Sequence, residues 1–186
     1  MNDFEAIKLV LIGASNTGKT TFVKYISQKY ETLNFKDYQA SLCATFFQKK
    51  IIYNGNIYQL NIWDTVGDER YTALAKIFFI DALMIFIFYN SQEKETFERA
   101  KFFVEYAKRE CINKDCIYAL ICNKYDINLK PNNYENIIPD EEVIEFVEKN
   151  NLLFAHLSIS EKYSNGVNEL LKKVLEHYNK KKNKRK

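Results

Sequence analysis

Along this chain, apolar positions cluster in two ways: short runs that are apolar almost throughout, and longer stretches in which apolar residues recur on one side. Ile7 to Ile12, Ala82 to Tyr89 and Ile117 to Cys122 are of the first kind, the pattern of strands covered on both faces. Ala44 to Tyr53 and Ile57 to Trp63 also read as strands, and Asn54-Gly55-Asn56 between them predicts a hairpin. Thr20 to Tyr30 has helical character. Thr96 to Cys111 is amphipathic, with Phe97, Phe102, Phe103, Tyr106 and Ala107 broadly on one side. Pro139, followed by Asp140, Glu141 and Glu142, marks a helix start that carries to about Lys149. Leu152 to Leu157 predicts a last short strand and Val167 to Tyr178 a closing helix, while Asn128 to Ile138 reads as a surface loop. Strands alternating with helices predict an α/β fold: a mostly parallel six-stranded sheet with one antiparallel edge strand and helices on both faces.

A length of 186 residues suits one domain with a substantial core. The expected division is a single domain over residues 1–178 and a basic tail over 179–186. An apolar fraction of 47% with 15% aromatics excludes disorder. Cys43, Cys111, Cys116 and Cys122 lack a C-x-x-C spacing and have two histidines to join them, so a zinc site or disulfide framework is not expected and a reducing, cytoplasmic setting is. The acidic opening Met1 to Glu5 predicts no leader peptide, and Ala82 to Tyr89 is too short to span a bilayer, so a soluble protein is expected.

Net charge is +3, but Lys180, Lys181, Lys182, Lys184, Arg185 and Lys186 supply six positive charges at the end, leaving about −3 for the rest. That balance excludes a global nucleic-acid footprint. The tail reads as a solvated end, with contact to a membrane surface or a partner as the alternative.

Three of the five glycines fall inside phosphate-handling motifs. Gly13-Ala14-Ser15-Asn16-Thr17-Gly18-Lys19-Thr20 fits G-x-x-x-x-G-K-[ST] between a buried strand and a helix, the context that gives the motif meaning and predicts a P-loop NTPase fold. Glycines let the loop curl so that successive N–H groups face phosphate oxygens, and the helix N-terminus adds positive potential. Gly13, Ser15, Asn16, Thr17, Gly18, Lys19, Thr20 and Thr21 are the expected phosphate contacts, with Lys19 as the mobile charge and Thr20 as a hydroxyl ligand to Mg²⁺. Asp64-x-x-Gly67 closes a strand, where an Asp can hold a metal-bound water and the Gly67 N–H can meet a terminal phosphate.

Asn123-Lys124-Tyr125-Asp126 follows the third buried strand, at the strand ends where such sheets bind ligands. A carboxylate at Asp126 accepts hydrogen bonds from the ring N–H and exocyclic amine of guanine. Adenine would leave it unpaired, a penalty that can reach roughly 10⁴-fold in selectivity. A P-loop kinase acting on a small substrate is disfavoured by Asp126 and by the lack of an evident lid arginine cluster.

These elements, in this order, resemble the Ras superfamily of small GTPases, and more closely the Rab family. Trp63-Asp64-Thr65-Val66-Gly67-Asp68-Glu69-Arg70-Tyr71 is similar to the Rab form W-D-T-A-G-Q-E-R-Y. Ser41-Leu42-Cys43-Ala44-Thr45-Phe46 sits where Rab proteins carry a first switch such as T-I-G-A-x-F. The likeness runs from about Ile7 to about Tyr178. It implies a switch between GTP and GDP with Mg²⁺, an exchange factor, a GTPase-activating protein and effectors, and a role in vesicle traffic on the cytosolic face of endomembranes. Phe46, Trp63 and Phe78 match the aromatic triad of the Rab effector surface.

Several positions depart from the family. Ser41 stands for the switch threonine that coordinates the metal, and Cys43 for a glycine. Phe35, with Tyr30 behind it, takes the place of the aromatic beside the guanine. Ser158-Ile159-Ser160 replaces S-A-K in the last base-binding loop; the Ile159 N–H can still serve the base oxygen, while Ser160 lacks the aliphatic contact of the lysine. Asp68 replaces the glutamine that orients the attacking water, and so joins Lys19 and Gly67 as the residues on which catalysis turns. An ionised carboxylate a few ångströms from the γ-phosphate adds repulsion on the order of several kcal/mol before relaxation. Slow intrinsic hydrolysis is therefore expected, with a GTP-binding pseudo-GTPase that only holds partners as the alternative. Rab proteins commonly end in prenylated cysteines, whereas this sequence ends Asn183-Lys184-Arg185-Lys186. Either it continues further or attachment relies on the basic tail and a partner.

Overall fold

The structure is a computed structural model and describes residues 4–29, 44–67, 72–125, 138–159 and 164–184. In chain order the elements are β1 (Phe4–Gly13), α1 (Lys19–Lys29), β2 (Ala44–Tyr53), β3 (Asn56–Thr65), α2 (Thr72–Phe79), β4 (Met84–Asn90), α3 (Lys94–Glu110), β5 (Ile117–Asn123), α4 (Asp140–Lys149), β6 (Leu153–His156), β7 (Ser158–Ile159), β8 (Ser164–Asn165) and α5 (Val167–Asn183). Six of the strands form one sheet in the order β2-β3-β1-β4-β5-β6. Every pairing in it is parallel except β2 with β3. The sheet architecture expected from the sequence is the one observed.

The apolar runs are explained by their alternation. Leu9 and Leu11 of β1, with Phe86 and Phe88 of β4, join a core with Phe22, Val23 and Ile26 of α1 and Val167, Leu170 and Val174 of α5. Their neighbours Val10, Ile12, Ile85 and Ile87 face the opposite way, toward Phe79 of α2, Phe97 and Val104 of α3 and Val143 of α4. Along residues 9–12 of β1 and 84–88 of β4 both faces are thus dry, which is why those stretches are apolar throughout. Phe22 meets Phe86 and Phe88 edge-on, with centroids 6.0 and 5.4 Å away, and so fixes α1 and the loop before it against the sheet.

The hairpin turn is shorter than the sequence pattern suggests. Tyr53 pairs with Asn56, leaving Asn54 and Gly55 as the turn, with φ of 49° and 76°. Positive φ at both central residues is the type I′ geometry that matches strand twist. α2 and the small β7–β8 hairpin were not foreseen. The closing helix extends to Asn183 rather than Tyr178, so residues 179–183 are helix rather than a loose solvated end. Tyr178 Oη and Lys182 Nζ both donate to Glu5 Oε1, at 2.6 and 2.7 Å, and Tyr58 Oη donates to Asn179 Oδ1 at 3.0 Å. Lysines in a last turn also complement the helix dipole. No helix among the described residues is long and apolar enough to cross a membrane.

Candidate functional site

The C-terminal ends of β1, β3 and β5 converge on one rim of the sheet and bring the three motifs together. At the end of β1, a Cβ on Gly13 would lie 2.3 Å from the carbonyl oxygen of Phe88, so only glycine lets the chain turn there. Asn16 and Gly18 take φ of 61° and 95°, curling the loop into the start of α1. Thr17 is fully buried, and its hydroxyl donates to the Ala14 carbonyl at 2.8 Å. Ser15 and Asn16 are exposed, and Thr21 lies in the first turn of α1.

Lys19 folds back over this loop. Its ammonium donates to the carbonyls of Gly13 and Ala14 at 2.8 and 2.9 Å, and the residue is only 6% exposed. Burial lowers its pKa to about 8, opposed by the negative charge of Asp64. A buried cation held by neutral carbonyls is a seat for an anion. Thr20 Oγ1 donates to Asp64 Oδ2 at 2.6 Å. The other carboxylate oxygen, Oδ1, is buried without a hydrogen-bond partner. Burial raises the Asp64 pKa, against the opposing pull of the Thr20 hydrogen bond and of Lys19.

A hydroxyl, one carboxylate with a free oxygen and a phosphate-binding loop form the hard oxygen donor set suited to Mg²⁺, which commonly takes few protein ligands beside substrate phosphates. Among the described residues no cluster of three or more His, Cys, Asp or Glu side chains could hold a metal by itself. The residues present fit the ion.

Gly67 lies directly over the loop. A Cβ there would stand 2.5 Å from the Ser15 nitrogen and 2.6 Å from the Ala14 carbonyl carbon. Thr65, whose importance the sequence did not reveal, pins this end of β3, because its buried hydroxyl donates to the Leu11 carbonyl at 2.7 Å.

At the other end of the site, Asn123 is fully buried and its Nδ2 donates to the Thr17 carbonyl at 2.8 Å. The base motif is therefore bolted to the phosphate loop, and a Cβ on Gly18 would collide with that same nitrogen at 2.1 Å. Asn123 Oδ1 is buried and unpartnered. Lys124 adopts φ of 58°, and its carbonyl accepts from the Ser91 hydroxyl at 2.9 Å. Ser91 thus supports the base loop, a role that nothing in its sequence surroundings signals. Tyr125 stacks on His156 at 4.0 Å, and its N–H donates to the Leu157 carbonyl at 3.0 Å. Ser158 and Ile159 follow directly, in β7. Phe35, Ser41, Asp68, Asp126 and Ser160, with Tyr30 and Cys43, lie outside the described residues.

Beside the rim, Phe46 faces Trp63 across the β2–β3 ladder with centroids 4.8 Å apart, and Trp63 meets Phe78 at 5.2 Å. The three expected aromatics form one contiguous group.

Comparison with known proteins settles the family, since the Ras family model matches residues 8–180. The chain belongs to the Ras family. Within that family this GTPase is similar to the Ras-related protein Rab-5A of Dictyostelium discoideum, 31% identical over 174 residues that cover 93% of this chain and 81% of the relative. The Ras-related protein Rab-21 of Geodia cydonium is 30% identical over 91% of this chain and 71% of its own length. The Ras-related protein Rab-17 of Mus musculus is 28% identical over 90% and 77%. This is accordingly a Rab-type small GTPase: a GTP-binding switch of vesicle transport that works with regulators and effectors.

Proposed function

We propose that this Rab-type protein is a slow switch that binds GTP and GDP with Mg²⁺ and depends on a partner for efficient hydrolysis. The observation that carries the binding half of this reading is the Thr20–Asp64 pair, joined at 2.6 Å with Asp64 Oδ1 left buried and unpartnered. Thr20 and Asp64, joined by Ser41, would hold Mg²⁺, which supplies charge neutralisation at the phosphates. Lys19 exchanges its two carbonyl partners for phosphate oxygens, and the loop from Gly13 to Thr21 donates its N–H groups. The Gly67 N–H meets the terminal phosphate. Asn123, Lys124 and Asp126 read and flank the base, with Phe35 beside it and Ser158, Ile159 and Ser160 closing the loop behind.

Asp68 sets the rate. It is one methylene shorter than the glutamine of the family pattern, and its charge opposes nucleophilic attack on an already anionic phosphate. An arginine supplied by an activating protein compensates such a deficit by about 10³–10⁵ in related systems. Phe46, Trp63 and Phe78 present the effector surface. The basic tail adds a salt-sensitive attraction to anionic membranes of about 1 kcal/mol per Lys or Arg near the surface, placing the protein on the cytosolic face of endomembranes.

Single-turnover phosphate release from protein preloaded with GTP and Mg²⁺ tests this reading beside the Asp68→Gln variant. The variant should hydrolyse at least about tenfold faster, equivalent to roughly 1.4 kcal/mol at the barrier. Equal or faster release by the native chain would refute the role given to Asp68. If neither releases phosphate while GTP stays bound, the chain is a binding module and the switch reading fails.

A further inference from the structure

The loop joining α3 to β5 carries two cysteines at the rim opposite the nucleotide. Cys111 caps α3, and Cys116 immediately precedes β5. The Cys116 N–H donates to the Asn113 carbonyl at 3.1 Å, and the Asp115 N–H to Asn113 Oδ1 at 3.0 Å. The resulting turn folds back on itself: the Cys111 thiol donates to the same Asn113 carbonyl at 3.8 Å, so both cysteines converge on one acceptor, while the Cys116 thiol donates to the Ile117 carbonyl at 3.9 Å. They line a cavity of about 410 Å³ shared with Lys108, Asn113, Tyr118 and Lys181. Cys111 is half-buried, whereas Cys116 is 3% exposed. One thiol is therefore within reach of a small reagent and the other stands behind it.

We propose that Cys111 and Cys116 form a peroxide-oxidisable dithiol, a modification site remote from the nucleotide, in which Cys111 reacts first and Cys116 resolves it to a disulfide. The Cys111 sulfur attacks one oxygen of a hydroperoxide. An S–O bond forms, the O–O bond breaks, and the departing oxygen leaves as hydroxide or alkoxide and takes a proton. The Cys116 sulfur then attacks the Cys111 sulfur. The S–S bond forms, the S–O bond breaks, and hydroxide leaves with the Cys116 proton as water. The two sulfurs together give up two electrons, which reduce the peroxide.

The surroundings favour this order. The neighbouring Cys116 thiol leads the effects that hold the Cys111 pKa down to about 6, with Tyr118, the Asn113 backbone and the Lys8 ammonium assisting against burial. Nucleophilic sulfur is thiolate, and lowered pKa with partial exposure is the environment of reactive cysteines. Cys122 is the internal contrast: it is 3% exposed, and burial pushes its pKa up to about 12. The dithiol stands at the start of β5 and Asn123 at its end, about 20 Å away at the usual strand rise. Oxidation therefore leaves the nucleotide contacts untouched. It locks the turn whose Asp115 carbonyl accepts from Lys181 of α5 at 3.3 Å.

The test is treatment of the purified, nucleotide-loaded protein with hydrogen peroxide, followed by intact mass and non-reducing peptide mapping. The native chain should lose the mass of two hydrogen atoms and yield one cross-linked fragment joining Cys111 to Cys116, with nucleotide content unchanged. Cys116→Ser should accumulate a sulfenic acid at Cys111 that a 1,3-dione reagent captures. Cys111→Ser should give neither product. Both cysteines still reduced at the peroxide concentration that oxidises free glutathione would overturn the proposal. So would a cross-link between two molecules, or capture of Cys116 ahead of Cys111. Should either serine variant fail to fold, the fragment map of the native chain decides by itself.

Discussion

Lys19 illustrates how much one side chain of this Rab-type protein reports about its ligand. Buried against two carbonyls, it titrates near 8 instead of its ordinary 10.5. Its folded pKa is depressed, so between those values the unfolded chain binds more protons than the folded one. Stability of nucleotide-free protein should therefore rise with pH from about 8 to about 10.5, by an amount on the order of 3 kcal/mol. Urea titrations across that range should show the rise in the native chain and its loss in Lys19→Met. Loading with nucleotide should also flatten it, because phosphate restores the charged form. The residues of the phosphate loop and Asp64 were legible in the sequence because their chemistry is bound to a fixed local spacing. The Asn123–Thr17 bond was not, because its partners lie 106 positions apart and either residue has many ordinary uses. Thr65 and Ser91 escaped notice for the same reason.

At the scale of elements, strands covered on both faces announced themselves, since burial on each side leaves no polar alternation to misread. α2 did not. Its sequence TALAKIFF is apolar nearly throughout and too short to separate helix from strand by period. β7 and β8 are two residues each, below the length at which any pattern exists. The end of α5 was hidden differently: NKKKN offers no apolar stripe, and the segment is held helical by tertiary bonds to β1 and β3. Truncation after Tyr178 removes the Tyr58–Asn179 hydrogen bond and the part-exposed Lys182–Glu5 pair. It should cost about 1–3 kcal/mol, read as a lower melting temperature. GTP affinity should stay unchanged, because those contacts lie at the opposite rim from the phosphate loop. A loss of affinity would mean that α5 is coupled to the site.

Across the whole molecule, chemistry is segregated by the direction of the parallel strands. Their C-terminal ends collect Gly13, Asp64, Thr65, Asn90, Asn123 and His156, while the opposite rim holds Glu5, the cysteine pair and the basic end of α5. Between the rims both faces of the central strands β1, β4 and β5 are largely buried, so neither end can repack without disturbing the packing between them. The Phe46–Trp63–Phe78 group lies at the sheet edge where β2, β3 and α2 meet, adjoining both segments that carry the first and second switch motifs. Trp63 is the chain's one tryptophan, and it is flanked by rings on either side. Its fluorescence therefore comes from that junction alone. Exchange of GDP for a non-hydrolysable GTP analogue should shift its emission, and Phe46→Ala should weaken the shift; an unchanged spectrum would mean that the triad stays still while the nucleotide changes. The chain carries its own optical gauge of the switch, readable without any attached dye.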